Sequence, residues 1–263
     1  MKVSYRSLLK QLVVTDFKLR YQGSVLGYLW SLLRPMMLFG VLFVVFTYIF
    51  PTGKNVPHFP AYLLLGIIVW TFFAEATSIG MNSIVGRGDM LRKVKISKPI
   101  IVISSILSAA VNLMFNIVVI LIFMVVNKAQ VDLAMLWLVI PLMLETLILC
   151  TGLAFLLSAL YVKYRDIAPI WEVMLQVLFY ATPIIYPLSY VLPHHKLAVI
   201  ISMNPMTQII QDLRYILITP STITTHTVLG WPLALLPFII VALVFVVGVS
   251  YFMKRSKYFV ENL

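Results

Sequence analysis

Residues 20–50 read RYQGSVLGYLWSLLRPMMLFGVLFVVFTYIF, and their second half carries no charged side chain. A helix needs about 20 apolar residues to cross the hydrocarbon core of a bilayer, which is about 30 Å thick. Residues 32–50 provide such a stretch, so we predict a membrane-spanning helix there. Upstream, Gly23 and Gly27 can turn the chain at low steric cost. The stretch therefore predicts an elbow, a bend that leads from a helix lying on the membrane into the first span.

The composition is that of an integral membrane protein. Of the 263 residues, 62% are hydrophobic and 11% are charged, and the mean hydropathy is +1.01, whereas soluble domains carry about 25% charged residues. Because uninterrupted apolar sequence begins only after residue 34, we expect a retained span and no signal peptide. The positive-inside rule accounts for the net charge of +11, so nucleic-acid binding is not expected. Cys150 lies within an apolar run and is expected to be a small core residue.

Apolar runs of sufficient length predict an all-α polytopic membrane protein with six spans, forming one transmembrane domain over residues 1–263. The predicted spans are 32–50, 60–80, 99–126, 134–161, 167–187 and 232–253.

The distribution of Lys and Arg predicts the orientation of these spans. With both termini in the cytoplasm, only four of the 20 basic residues fall on the outer side: Lys54, Lys128, Lys196 and Arg214. Since cytoplasmic loops carry an excess of Lys and Arg, we predict a multi-pass protein of the cytoplasmic (inner) membrane with both termini inside.

The stretch 183–231 is apolar, but prolines divide it into pieces too short to cross a bilayer. They are Pro183, Pro187, Pro193, Pro205 and Pro220. One interpretation is a set of short re-entrant helices that line or close an extracytoplasmic gate, because irregular backbone at membrane depth must be surrounded by protein or water. The other is an external loop resting on the membrane surface. The sequence leaves both open.

The segment 1–31 predicts a cytoplasmic amphipathic helix followed by the elbow. One helical face is apolar and the opposite face is basic, as expected for a helix in the membrane interface; the apolar residues are Tyr5, Leu8, Leu9, Leu12 and Val13. Tyr28 and Trp30 suit the headgroup layer. Pro35 is expected in the first turn of the following helix, where its missing N–H does no harm.

Three stretches carry a resemblance to a known family. The string R-Y-x-G-S-x-L-G-x-L-W-S-x-L-x-P from Arg20 to Pro35 resembles the N-terminal signature of ABC-2-type permeases that export polysaccharides. YRDI at 164–167 with LFYATPIIYP at 178–187, and NPMTQIIQDLRYILI at 204–218, resemble the same family. One departure is Arg34 before the proline, where Asn is expected about as readily. The resemblance implies the membrane subunit of an exporter of O-antigen, teichoic acid or capsule.

No G-x-x-x-x-G-K-[ST] motif occurs, so the chain has no P-loop. The resemblance implies a homodimer with two separate ABC ATPase subunits, which would bind ATP and Mg²⁺; no cofactor, metal or catalytic residue is expected in this chain. Two cytoplasmic segments are candidates for ATPase coupling, the loop 85–99 and the turn after span four. The candidate residues are Arg87, Asp89, Met90, Leu91, Arg92, Lys93, Lys163, Tyr164, Arg165 and Asp166. Topological charge alone is the alternative for both.

Aromatic side chains and one acid are candidates for the translocation path, because sugars stack on aromatic faces. They are Phe39, Phe43, Phe46, Trp70, Phe73, Glu145, Phe179 and Tyr180. For each aromatic residue, ordinary packing or a place in the interfacial belt is the alternative. A lipid-linked polymer would also bring a pyrophosphate, for which the candidate ligands are basic residues near the inner interface: Arg6, Lys10, Lys18, Arg20 and Arg34. Attraction to ordinary anionic lipids explains the same residues.

The leading hypothesis is therefore the permease of an ATP-driven polysaccharide exporter with a lipid-linked substrate. An ABC-2 permease for a small drug or lipid would have nearly the same membrane plan. A membrane enzyme acting on polyprenyl phosphates would need clustered acids or metal ligands, and no D-x-x-D or H-x-x-x-H pattern occurs.

Overall fold

The computed structural model describes residues 5–21, 23, 26–50, 56–93 and 96–259, and the regular elements in these ranges are all helices. The α-helices are α1 (Tyr5–Tyr21), α2 (Trp30–Val44), α3 (Phe59–Asn82), α4 (Gly88–Lys93), α5 (Lys98–Val126), α6 (Val139–Lys163), α7 (Ile167–Ala181), α8 (His195–Ser202), α9 (Pro205–Leu217), α10 (Thr225–Leu229) and α11 (Leu236–Arg255). The predicted all-α class is confirmed.

Five helical segments are long and apolar enough to cross a membrane, which confirms a multi-pass membrane protein. They contain α2, α3, α5, α6 and α11 and extend over Gly27–Ile49, Phe59–Asn82, Lys98–Val126, Leu136–Lys163 and Leu233–Tyr258. Their bounds agree with five of the six predicted spans to within a few residues.

The sixth predicted span, 167–187, is shorter in the structure. Helix α7 has 15 residues and ends at Ala181, so at 1.5 Å per residue it is about 22 Å long. The reason is Pro183, because a residue before proline avoids the α-helical region, and Thr182 is extended with φ −92° and ψ 136°. By length alone, α7 does not meet the requirement for a span.

Contacts between loops define two ends of the helical bundle. At the first, called the α1 end, Asp16 of α1 forms an ion pair with Arg87 in the turn after α3. At the same end, the Lys98 ammonium at the start of α5 donates a hydrogen bond to the Ser256 carbonyl after α11. The α1 end therefore holds α1, the α3–α5 connection and the segment that follows α11.

The opposite end, called the α9 end, holds the remaining connections. The backbone N–H groups of Gln130 and Asp132 donate to the carbonyls of Ile218 and Ile216, each at 2.8 Å, which joins the α5–α6 loop to the last turn of α9. Asn204, the N-cap of α9, donates from its side chain to Thr182 after α7, at 3.0 Å. Helix α7 thus begins beside the α1 end, after α6, and finishes at the α9 end.

Helix α3 is the centre of the bundle and packs against α2, α5, α6, α7 and α9. In its most apolar window, 72% of the residues are buried. Helices α6 and α11 are in direct backbone contact, because Gly152 faces Gly248 and neither residue has a side chain. A Cβ atom added to Gly152 would lie 2.6 Å from the Phe245 Cα atom. The buried Cys150 is a core residue near this contact, as predicted.

Gly23 and Gly27, the glycines of the predicted elbow, both lie between α1 and α2 in backbone conformations typical of a turn. Gly23 has φ +78° and Gly27 has φ +49°, in the left-handed region that favours glycine. In α1, Leu8 and Leu12 are half-buried and Lys10 is exposed, as the amphipathic pattern requires. The side chains of Tyr5, Arg6 and Arg20 lie outside the described residues.

Pro35 lies inside a helix, so the expectation of a first-turn position was wrong. Helix α2 begins at Trp30, and Pro35 therefore removes the N–H that would bond to the Ser31 carbonyl. The side chain of Asn116 on α5 donates to that carbonyl instead, at 3.3 Å. The helix can start earlier than predicted because a neighbouring helix replaces the missing hydrogen bond.

Candidate functional site

The predicted coupling loop forms a short helix at the α1 end. Arg87 is bound to its surroundings, since its guanidinium pairs with Asp16 and also donates to the Ile101 carbonyl at 3.4 Å. Leu91 is buried in the bundle, whereas Asp89 is exposed. Met90 is half-buried, and the two basic residues that follow, Arg92 and Lys93, are exposed. The loop thus has an anchored start and a charged outer surface.

The second predicted coupling segment, 163–166, lies at the same end and is exposed throughout. The Lys163 ammonium lies 4.9 Å from the centre of the Tyr164 ring, and the Arg165 guanidinium lies 5.2 Å from the centre of the Tyr161 ring. Lys163 is also the main reason that the pKa of the Tyr164 hydroxyl is lowered, through a hydrogen bond and its charge. Asp166 is exposed beside them. The two coupling segments together present charged side chains at the α1 end.

The predicted path aromatics fall into two separate clusters. In the first, Phe39 stacks on Phe43 at 5.6 Å between ring centres and meets Phe123 edge-on at 5.3 Å. Phe39 is buried, and Phe43 and Phe46 are half-buried against the core. This cluster joins α2 to α5 within one chain.

The second aromatic cluster joins α3 to α7. The Trp70 ring lies 5.3 Å from Phe73 and 5.9 Å from Phe179, between ring centres. Phe179 in turn meets Tyr180 edge-on at 5.3 Å. Trp70 and Phe73 are buried, while Tyr180 is 66% exposed. In a single chain, Tyr180 is therefore the member of this cluster whose ring is most accessible to a polymer.

Three of the five predicted phosphate ligands have described side chains. Lys10 and Lys18 are exposed on α1, and Arg34 is exposed near the start of α2. The other two, Arg6 and Arg20, belong to α1, but their side chains fall outside the described residues. The exposed cations flank the elbow, where an anionic headgroup could reach them.

Sequence reasoning missed the most connected side chain at the α9 end, Arg214 of α9. It is fully buried, and its guanidinium donates to the carbonyls of Tyr62, Pro183 and Ile184 at 3.0, 2.6 and 2.7 Å. A fourth bond goes to the Gln211 side chain at 3.0 Å. Burial is the first cause of the lowered pKa of Arg214.

The surroundings of Arg214 are shaped to admit it. Its guanidinium carbon lies 3.6 Å from the centre of the Tyr62 ring, which attracts a cation through its π face. A Cβ atom at position 66 would lie 2.5 Å from an Arg214 nitrogen, so only glycine fits there. In the sequence, Arg214 resembled any other basic residue of the outer segments, because its partners come from two distant parts of the chain. The arginine fastens α9 and the Pro183–Ile184 turn to the start of α3.

Glu145, predicted to face the path, lies apart from both aromatic clusters. It faces α9 and lines a cavity that also contains Asp212, another residue that the sequence reasoning did not select. Gln208 on α9 donates to the Asp212 carboxyl at 2.7 Å. The spacing of these two residues, i and i+4 on an apolar helix, was the available signal for Asp212.

Comparison with known proteins decides the family. The family model described as ABC-2 type transporter matches residues 7–218. This chain belongs to the ABC-2 type transporter family. The O-antigen export system permease protein RfbA of Myxococcus xanthus is 30% identical over 206 residues, which cover 78% of each chain. A permease of the same name from Klebsiella pneumoniae is 26% identical over 248 residues, or 94% of this chain and 92% of the relative.

Membership of the ABC-2 type transporter family makes the chain a membrane transport subunit and not an enzyme. The match includes both candidate coupling segments, both aromatic clusters and Arg214 in α9. It ends at residue 218, so α10 and α11 lie beyond it.

Proposed function

We propose that this chain is the membrane subunit of an ATP-driven exporter that moves a lipid-linked polysaccharide across the cytoplasmic membrane. The observation that carries the proposal is the similarity to O-antigen export permeases, one of which aligns over 94% of this chain. The three sequence stretches that resemble polysaccharide exporters lie within that family's part of the chain.

A six-span topology, with α7 as the fifth crossing, is part of the proposal. Helix α7 runs from the α1 end to the α9 end, and the Thr182–Tyr186 segment after it is largely buried. A short helix can cross when protein surrounds the irregular backbone that completes the passage. Under this topology, α8, α9 and α10 are short helices that return to the side they came from.

The α1 end is proposed to be cytoplasmic. The Lys and Arg residues described there include Arg87, Arg92, Lys93, Lys163, Arg165, Lys254 and Arg255, whereas those at the α9 end are Lys128, Lys196 and the buried Arg214. This asymmetry follows the positive-inside rule. It supports an orientation in which both terminal segments are cytoplasmic and the α8–α10 segment is outside.

ATP hydrolysis is proposed to come from two separate ATPase subunits that dock on the α1 end of a homodimer. The exposed Asp89, Arg92 and Lys93 and the exposed turn 163–166 supply the charged surface for this contact. Dimer formation would cover apolar surface that one chain leaves open, because only 11% of the α2 window is buried and α7 exposes Val173 and Val177.

The remaining parts follow from the same proposal. Segment 183–231 serves as the extracytoplasmic gate, and Arg214 holds its backbone against α3. The exposed cations beside the elbow, Lys10, Lys18 and Arg34, receive the pyrophosphate of the carrier lipid. Tyr180, the exposed member of its aromatic cluster, contacts the sugar chain.

The test is deletion of the gene and complementation with variants. Wild-type chain should restore surface polysaccharide, measured by immunoblot of intact cells, and the deletion strain should accumulate the polymer inside. Charge reversal of Arg92 and Lys93 together should abolish export and co-purification of the ATPase, whereas reversal of exposed Lys196 at the other end should preserve both. Normal surface polymer in the deletion strain, with loss of efflux of a small molecule, would contradict the proposal.

A further inference from the structure

A cavity of about 860 Å³ lies near the α9 end, away from the aromatic clusters. Its walls come from α6, α9, α10 and α11, and most of its lining is apolar, including Leu142, Ile148 and Val241. Ligand pockets usually measure about 300–1,000 Å³ and combine apolar walls with a few converging polar groups. The size and the walls are therefore those of a small-molecule site.

The polar part of this cavity is acidic. Glu145 is 8% exposed, and its Oε1 atom has no hydrogen-bond partner among the residues that the structure describes. On the facing helix α9, Gln208 donates to the Asp212 carboxyl at 2.7 Å. Two carboxyl groups, those of Glu145 and Asp212, therefore line the cavity, and the Glu145 Oε1 atom keeps acceptor capacity.

Within the described part of the chain, no cationic side chain forms an ion pair with Glu145 or Asp212. The Arg214 guanidinium, on the same helix as Asp212, donates to Tyr62, Pro183, Ile184 and Gln211 instead. His226 also lines the cavity, but its side chain is exposed to solvent. Burying an unpaired carboxylate is costly, so a donor cation from outside would stabilise this arrangement.

Access to the cavity is from the side of the bundle. Leu144 and Ile148 on α6 and Phe238 on α11 line the cavity and are 53%, 41% and 46% exposed. These residues belong to the segments Leu136–Lys163 and Leu233–Tyr258, which are apolar enough to span a membrane. A ligand would therefore arrive through the lipid and must carry a hydrocarbon part.

We propose that this cavity binds the protonated amine of an amphiphile from the surrounding bilayer. The ammonium lies between Glu145 and Asp212 and donates to the Glu145 Oε1 atom. The hydrocarbon part lies along the apolar faces of α6 and α11. The site is separate from polymer export and does not depend on the proposed transport function.

Native mass spectrometry of the full-length chain in maltoside micelles tests the proposal, with dodecylamine as the charged probe and dodecanol as its uncharged match. Dodecylamine should bind with one saturable site and at least about tenfold more tightly than dodecanol, because a charge-assisted hydrogen bond to a buried acid is lost with the alcohol. Glu145→Gln and Asp212→Asn should each weaken dodecylamine binding about tenfold or more.

Two further variants keep the test decisive. Ala242→Phe fills the apolar part of the cavity while leaving both acids intact, and it should abolish binding of dodecylamine. Glu172→Gln makes the same chemical change as Glu145→Gln on an exposed acid of α7, and it should leave binding unchanged. Equal affinity for amine and alcohol, or equal losses in Glu145→Gln and Glu172→Gln, would overturn the proposal.

Lipid nanodiscs identify the source of the ammonium. If phosphatidylethanolamine is the natural occupant, discs containing it should weaken dodecylamine binding relative to discs of phosphatidylglycerol. Equal binding in the two kinds of disc assigns the site to a free lipophilic amine. Since the ATPase is absent from every measurement, failure here leaves the export proposal standing.

Discussion

Replacing Gly248 by alanine tests the close contact between α6 and α11. The added Cβ atom would lie 2.8 Å from the Gly152 carbonyl carbon, whereas ordinary van der Waals contact begins near 3.4 Å. The two helices must therefore separate by at least about 0.6 Å, since the obstacle is backbone and cannot rotate away. Overpacking of this kind costs about 1–3 kcal/mol, while alanine in place of glycine stabilises a helix by about 1 kcal/mol.

The matched control is Gly40→Ala in α2, where an added Cβ meets nothing within 4 Å. The control should keep or slightly raise the melting temperature of the full chain in detergent. Both variants gain the same helix propensity, so Gly248→Ala should be less stable than the control by the overpacking cost alone, about 1–3 kcal/mol, which corresponds to several degrees. Because Gly152 opposes Gly248, the double variant Gly152→Ala/Gly248→Ala should lose less than the sum of the single losses.

Melting curves monitored by tryptophan fluorescence give these values directly. Equal melting temperatures for Gly248→Ala and Gly40→Ala would refute the backbone contact, and strict additivity in the double variant would show that the two glycines do not share one interface.

Three other predictions concern single interactions. Arg214→Lys should lower stability by roughly 2 kcal/mol, because one ammonium cannot reach three backbone carbonyls; the melting temperature, compared with that of Lys196→Met at an exposed site, checks this. Asn116→Ala should cost about 1 kcal/mol by leaving the Ser31 carbonyl unpaired, and in a Pro35→Ala background, which restores the helical N–H, thermal melting should show a smaller cost. Burial raises the pKa of the Asp212 carboxyl from 3.8 to about 6. Its neutral form therefore favours the fold, and the melting temperature should fall as pH rises from about 4 to about 6. Asp212→Asn should flatten that change, and an unchanged slope would contradict it.

The five long spans could be predicted because apolar length alone specifies them. Residues 99–126, for example, contain no charge, and the helix occupies Lys98–Val126. The bend at Gly23 and Gly27 could be predicted for a similar reason, since few residues other than glycine adopt positive φ at low cost.

The exceptions arise where a distant residue supplies a partner. The end of α7 was placed too late because the apolar sequence continues beyond Pro183, although the helix does not. The start of α2 was placed too late because Asn116, on another helix, supports the Ser31 carbonyl. Arg214 was counted only as one of the basic residues on the outer side, because no local sequence pattern indicates that three backbone carbonyls surround it.

The coupling residues and phosphate ligands stay predictions, because their partners are other molecules. Exposure of Arg92 and Lys93 fits docking and also fits a solvated loop. The structure of a single chain gives the positions of these side chains, whereas their roles depend on the molecules that bind them.

The two bonds of Arg87 have a mechanical consequence. This side chain joins the turn after α3 to Asp16 in α1 and to the Ile101 carbonyl in α5. A force applied to the adjacent short helix α4 would therefore be transmitted to both α1 and α5. Neither can be displaced alone while both bonds hold, so a push on α4 would tilt them as one body.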